Sequence, residues 1–137
     1  MIISVPHSGT RSLREHLKVD GYWHWGLNDT DINSFTGHAD IPIRNPVDIA
    51  RSWDARYPTE EHKGADNMLQ RMDSMMAFIN DHPDHKLWRC EDLTTNIGKG
   101  PDKTNEPTER TEALKLWLSG ANMAFYEQHY PDLQRQI

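Results

Sequence analysis

Met1-Ile2-Ile3-Ser4-Val5-Pro6-His7-Ser8-Gly9-Thr10-Arg11-Ser12-Leu13-Arg14-Glu15-His16-Leu17 decides how this chain is read. Met1 to Val5 is largely apolar and β-branched, which suits a buried strand. Pro6 to Thr10 is a tight turn around Gly9. Arg11 to Leu17 reads as a helix with Leu13 and Leu17 on one face. A strand, a glycine turn and a helix in that order build an anion cradle. The helix start points free N–H groups and a partial positive charge at the turn. Gly9 lets the backbone approach a phosphate closely. Ser8, Thr10 and Ser12 supply hydroxyls, and His7 and Arg11 supply donors or charge.

Outward from this unit, the chain alternates strands and helices. Gly21-Tyr22-Trp23-His24-Trp25 reads as a short second strand, and Gly26 to Gly37 as a polar loop. Ala39 to Arg44 is a third strand candidate, weakened by Pro42, which cannot donate to a ladder. Asn45-Pro46-Val47-Asp48 is a helix start, with Asn45 as cap, Pro46 at the first helical position and Asp48 in the first turn. That helix continues to about Arg56, followed by a loop from Tyr57 to Gly64. Met68, Leu69, Met72, Met75, Met76 and Ile79 mark a helix over Asp66 to Asn80, and the stripe reads as core. Lys86 to Cys90 is a fourth strand. Thr94 to Pro107 is a polar loop, and one last helix is expected from Thr108 to about His129. This alternation predicts an α/β fold: a three-layer sandwich with a small parallel sheet of about four strands flanked by helices. Ligands then sit at the strand C-terminal ends.

The chain has 137 residues, which predicts a single domain, 1–137. Its mean hydropathy is −0.84, so five Trp and six Met must carry much of a compact core. No apolar run approaches the roughly 20 residues of a membrane span, and the first strand follows no basic leader, so neither a membrane nor a secretory signal is expected. Cys90 is the only cysteine, which fits a reducing, cytoplasmic setting. A net charge of −6 argues against a nucleic-acid surface while allowing a local basic pocket for one polyanion. His82 and His85 flank a Pro-Asp turn with no cysteines beside them and read as solvated, so no metal is expected. Tyr22, Trp23 and Trp25 suit stacking on a base, but core packing is the simpler reading.

The first turn lacks the Gly-Lys-Ser/Thr of the Walker pattern. It resembles instead the 5′-phosphosulfate loop of the sulfotransferases that use 3′-phosphoadenosine 5′-phosphosulfate (PAPS), with Pro6-His7-Ser8-Gly9-Thr10 in place of their Pro-Lys/Arg-Ser-Gly-Thr. A second motif, Arg44-Asn45-Pro46-Val47-Asp48 with Ser52 eight residues after the arginine, is similar to the family's 3′-phosphate motif. Trp88-Arg89-Cys90-Glu91-Asp92-Leu93 resembles its Arg-Tyr-Glu-Asp-Leu segment, with Cys90 for the tyrosine. The three motifs lie within residues 2–93. The resemblance implies a P-loop fold and a PAPS site drawn from His7, Ser8, Gly9, Thr10, Arg11, Ser12, Arg44 and Ser52. Lys99, beside Gly100, corresponds to the family's late basic segment over the 3′-phosphate.

The resemblance further implies transfer of a sulfuryl group to a hydroxyl or amine acceptor, by positioning and by neutralising charge on the leaving phosphate oxygen. The family's loop cation is replaced by His7, which is only partly charged near neutral pH, so Arg11 is expected to share its task. His24, twenty residues before Arg44, is the candidate general base, and His38 the second. The chain is about half the family's usual domain length, so the acceptor is expected to be large or to be met by a dimer. Two other readings stay open: a nucleotide or small-molecule kinase of the P-loop class, against which the missing lysine argues, and a non-catalytic nucleotide-binding module.

Overall fold

A computed structural model describes residues 1–26, 30–58, 64–93 and 106–137. The chain forms two compact units: Met1–Arg44 with Gln70–Lys99, and Asn45–Leu69 with Gly100–Ile137.

The first unit is α/β. Four strands run parallel in the order β2-β1-β3-β4, namely β1 (Ile2–Ser4), β2 (Tyr22–His24), β3 (Ala39–Ile43) and β4 (His85–Arg89). All four expected strands form. Helix α1 (Thr10–Leu17) follows β1, and the short α2 (Thr30–Asn33) follows β2. Ile2 and Leu13 are buried in one cluster with Leu93, and Leu17 and Trp88 pack against it. The apolar side of α1 therefore does cover the sheet, as the Leu13/Leu17 spacing requires.

Pro42 sits inside β3, an interior strand, and the sheet accommodates it in a specific way. Asp40 N–H donates to the Met1 carbonyl at 2.9 Å, so even-numbered residues of β3 face β1. The next rung would need an N–H from Pro42, which has none. The β1–β3 pairing accordingly consists of the Ile2–Asp40 pair, whereas β3 and β4 pair from Ala39–His85 through Ile43–Arg89. Proline is tolerated at an interior position because its bare nitrogen faces the seam that ends there.

The second unit is helical. Helix α3 (Pro46–Arg56) begins as expected: Asn45 Oδ1 accepts from Val47 N–H at 3.0 Å, with Pro46 next to it. Helix α4 (Ala65–Asp81) carries the methionine stripe, and Met68, Met72, Met75 and Phe78 are buried along it. From Gln70 onward α4 belongs to the first unit. The expected single C-terminal helix is two, α5 (Glu109–Trp117) and α6 (Gly120–His129), followed by a short α7 (Leu133–Gln136). The break is at Leu118-Ser119, and Gly120 opens α6 with a positive φ of 52°. The apolar spacing alone runs through the break, so periodicity could not reveal it. Thr108 caps α5 through a reciprocal bond with Thr111, and its hydroxyl donates to Asp54 at 2.7 Å. Arg110, nearly buried, pairs with Asp54 at 3.0 Å and donates to the Tyr57 carbonyl, which ties α5 to α3. Among the described residues, no helix is long and apolar enough to cross a membrane.

Candidate functional site

Because β2 and β3 lie on opposite sides of β1, the sheet has its topological switch point between β1 and β3. In open parallel sheets the crevice beyond the strand C-termini at such a point is where ligands bind. The turn after β1 and the residue after β3 both stand there.

The turn is built by its own hydrogen bonds. Ser8 N–H and Ser8 Oγ both donate to the Val5 carbonyl, at 3.2 and 2.6 Å, and Ser8 is buried. Ser4 Oγ and Thr10 Oγ1 bond at 2.7 Å beneath the turn, and both residues are buried. Two residues take left-handed backbone conformations, Gly9 at φ 104° and His7 at φ 68°. For histidine that conformation costs roughly 1–2 kcal/mol, and such strain persists only where the surroundings fix it. Gly9 is the N-cap of α1, with no side-chain cap and no acid in the first turn. The first amides of α1 therefore carry their helix-end partial charge without an acidic residue to offset it.

Gly9 is also required for a steric reason that the sequence does not suggest. A Cβ on Gly9 would lie 2.7 Å from Cys90 Sγ and 2.8 Å from Cys90 Cβ. The space vacated by its missing side chain is taken up by the residue after β4. Cys90 begins a 3-10 turn, Cys90–Asp92, and is buried. The small Cys90 side chain and the bare Cα of Gly9 therefore fit as a pair. Arg89, in the same segment, pairs with Asp92 at 3.4 Å across an exposed i,i+3 contact.

Arg44 is drawn to the same place. Its Nη1 donates to the His7 carbonyl at 3.1 Å, so the guanidinium rests on the glycine turn. The two arginine and glycine motifs that the sequence sets 37 residues apart thus meet. His24 ends β2 opposite Ser4, and its Nε2 lies 3.4 Å from Thr10 Oγ1. His24 is exposed, with its ring against Tyr22 at 4.8 Å. Arg11 is exposed in the first turn of α1, and Ser12 is buried.

His38 precedes β3 at the N-terminal ends of the strands, away from the turn. Its Nδ1 bonds Asp84 at 2.7 Å and its Nε2 bonds Asp40 at 3.2 Å, and these two carboxylates raise its pKa above the usual histidine value. That position removes it as a base for chemistry at the glycine turn. Ser52 is half-buried on α3 in the second unit, and Lys99 lies outside the described residues. His82 Nε2 bonds the Gly37 carbonyl and His85 Nδ1 bonds the His82 carbonyl. Trp25 is fully buried, whereas Tyr22 and Trp23 are exposed, so only Trp25 follows the core reading.

Sequence reasoning missed two members of the turn. Ser4 is the one polar residue in an apolar strand, and that contrast was its signal. Cys90 had no local signal, because its fit against Gly9 is a tertiary contact. Against family models, curated proteins and solved structures, the chain gives no match.

Proposed function

We propose that the Pro6–Ser12 turn and Arg44 form the phosphate-binding end of a PAPS site, and that the chain is a P-loop-type sulfotransferase. The observation that carries this reading is the 3.1 Å bond from Arg44 to the His7 carbonyl, at the switch point of a parallel sheet. The residues present fit such a group. The N-terminus of α1 has no acid in its first turn, and two cationic side chains, Arg11 and Arg44, stand at the turn. The proposal is confined to side chains of the first unit.

When bound, PAPS would supply an activated sulfuryl group on a phosphate leaving group. The chain's own residues then divide the work. The amides at the start of α1 hold phosphate oxygens. Arg44 exchanges its backbone carbonyl for a phosphate, a charge-assisted and stronger acceptor. A protonated His7, together with Arg11, offsets negative charge on the leaving oxygen. His24 removes the acceptor's hydroxyl or amine proton, with Thr10 Oγ1 within reach of its Nε2.

The test compares thermal stabilisation by adenosine 3′,5′-bisphosphate with that by ATP and Mg²⁺. Stabilisation by the bisphosphate, lost in Arg44→Ala, supports the site, and preference for ATP would replace it with a kinase. Transfer of labelled sulfate from PAPS to hydroxyl and amine acceptors follows. A non-catalytic module binds the bisphosphate and gives no transfer with any acceptor, an outcome that histidine in place of the loop cation favours.

A further inference from the structure

The outer face of α1 carries charge that the glycine turn does not use. Arg11, Arg14 and Lys18 stand at i, i+3 and i+7, on one side of the helix and its C-cap. At 1.5 Å per residue they form a rail about 10 Å long. With Glu15, Val19 and Asp20 they line a groove of about 480 Å³.

Three observations set this groove apart from an ordinary solvated helix face. Among the described residues, none of the three cations is ion-paired. Like charges at this spacing repel one another, and they do so here in a chain of net charge −6. Next, Arg14 Nε is buried without a hydrogen-bond acceptor among the described residues, while its guanidinium carbon lies 4.9 Å from the Tyr22 ring. A buried donor of this kind needs a partner. Finally, Lys18 holds a left-handed backbone, φ 55°, at the helix end, where glycine is the usual residue.

We infer that the groove binds a small molecule that carries both hydroxyls and a phosphate or sulfate ester. Arg14 and Lys18 take the ester oxygens, Arg14 through its terminal guanidinium nitrogens. Glu15 and Asp20 accept from the hydroxyls. Arg11 belongs both to the groove and to the first turn of α1, so a molecule lying along the rail brings a hydroxyl toward the glycine turn. As the sulfuryl acceptor this molecule rests on the function proposed above; as a ligand of the groove it does not.

Titration calorimetry of the full chain with glucose 6-sulfate, glucose 6-phosphate and glucose tests the inference. One or both esters bind, more weakly as salt is added, and glucose does not. The ester that binds names the source of the oxyanion. Lys18→Gly relaxes the left-handed residue, so its Tm holds or rises while ester affinity falls about fivefold or more. Its affinity for adenosine 3′,5′-bisphosphate stays within about twofold of the parent. Arg14→Gln weakens the ester in the same way. Failure of both esters to bind, or unchanged ester binding by Lys18→Gly, overturns the groove. So does a parallel loss of bisphosphate affinity, because the rail would then belong to the nucleotide site. If an ester binds and the bisphosphate does not, the sulfotransferase reading fails and the groove stands.

Discussion

The two ends of the β1–β3–β4 sheet are made of similar residue types and are wired in opposite ways. At the strand N-terminal ends, His38 is held between Asp84 and Asp40, Trp88 Nε1 donates to Asp40 at 2.9 Å, and the N-terminal amine donates to the His38 carbonyl. Positive and negative groups there satisfy one another. At the C-terminal ends, Gly9 and His7 sit in left-handed conformations, the first turn of α1 has no acid, and Arg44 reaches a neutral carbonyl. Around the glycine turn, left-handed backbone coincides with a helix start that has no acid in its first turn. That coincidence marks the glycine turn as the place where an external anion is expected.

The strongest attack on this contrast is Gly9→Ala. It combines a left-handed backbone with a Cβ driven into Cys90, and should lower unfolding free energy by about 2–5 kcal/mol in urea melts. Adding Cys90→Gly should recover the steric part, so the double variant is more stable than the sum of the two losses predicts. Simple additivity would show that the pair does not form. Arg44→Ala comes next. Bisphosphate affinity should drop by about tenfold or more, while stability changes by about 1 kcal/mol, since only a half-buried bond to a carbonyl is lost. A larger effect on stability than on binding would make Arg44 a structural brace.

His7→Lys sharpens the comparison further by placing a permanent cation in the turn. Under the proposed reading, sulfuryl transfer should rise about tenfold. The smallest effect is expected from His38→Gln at the satisfied end. The His38 pKa is raised first by Asp84 and then by Asp40. A raised folded pKa means that this stabilisation is complete below the ordinary value of 6.5 and fades as pH rises through the raised one. The parent should therefore lose a little stability across that window, and His38→Gln should not. A change in ligand binding in the same variant would blur the distinction between the two ends.

Much of this layout was legible before any coordinates. Alternating apolar runs and capping signals located all four strands and the start of α3, because these are short-range preferences of the residues themselves. The Gly9 turn and Arg44 were legible as motifs, and strand order then brought them together. What stayed hidden depends on partners distant in sequence. The steric demand on Gly9 turns on Cys90, the acceptability of Pro42 on which neighbour its nitrogen faces, and the exclusion of His38 on the end of the strand it occupies. The break before Gly120 was invisible because the apolar spacing continues across it. The rail on α1 was also passed over, since Arg14 and Lys18 look like ordinary solvated charges until it is known that no carboxylate pairs with them among the described residues.

Pro42 has one more effect, on motion. With no amide hydrogen to lend toward β1, Pro42 leaves the β1–β3 pairing at Ile2–Asp40, short of the strand ends that lead into the turn and Arg44. A guest touching both tips would act as the missing lace. Amide exchange along β1 should slow when it binds, while exchange along the fully registered β3–β4 pair stays as it was.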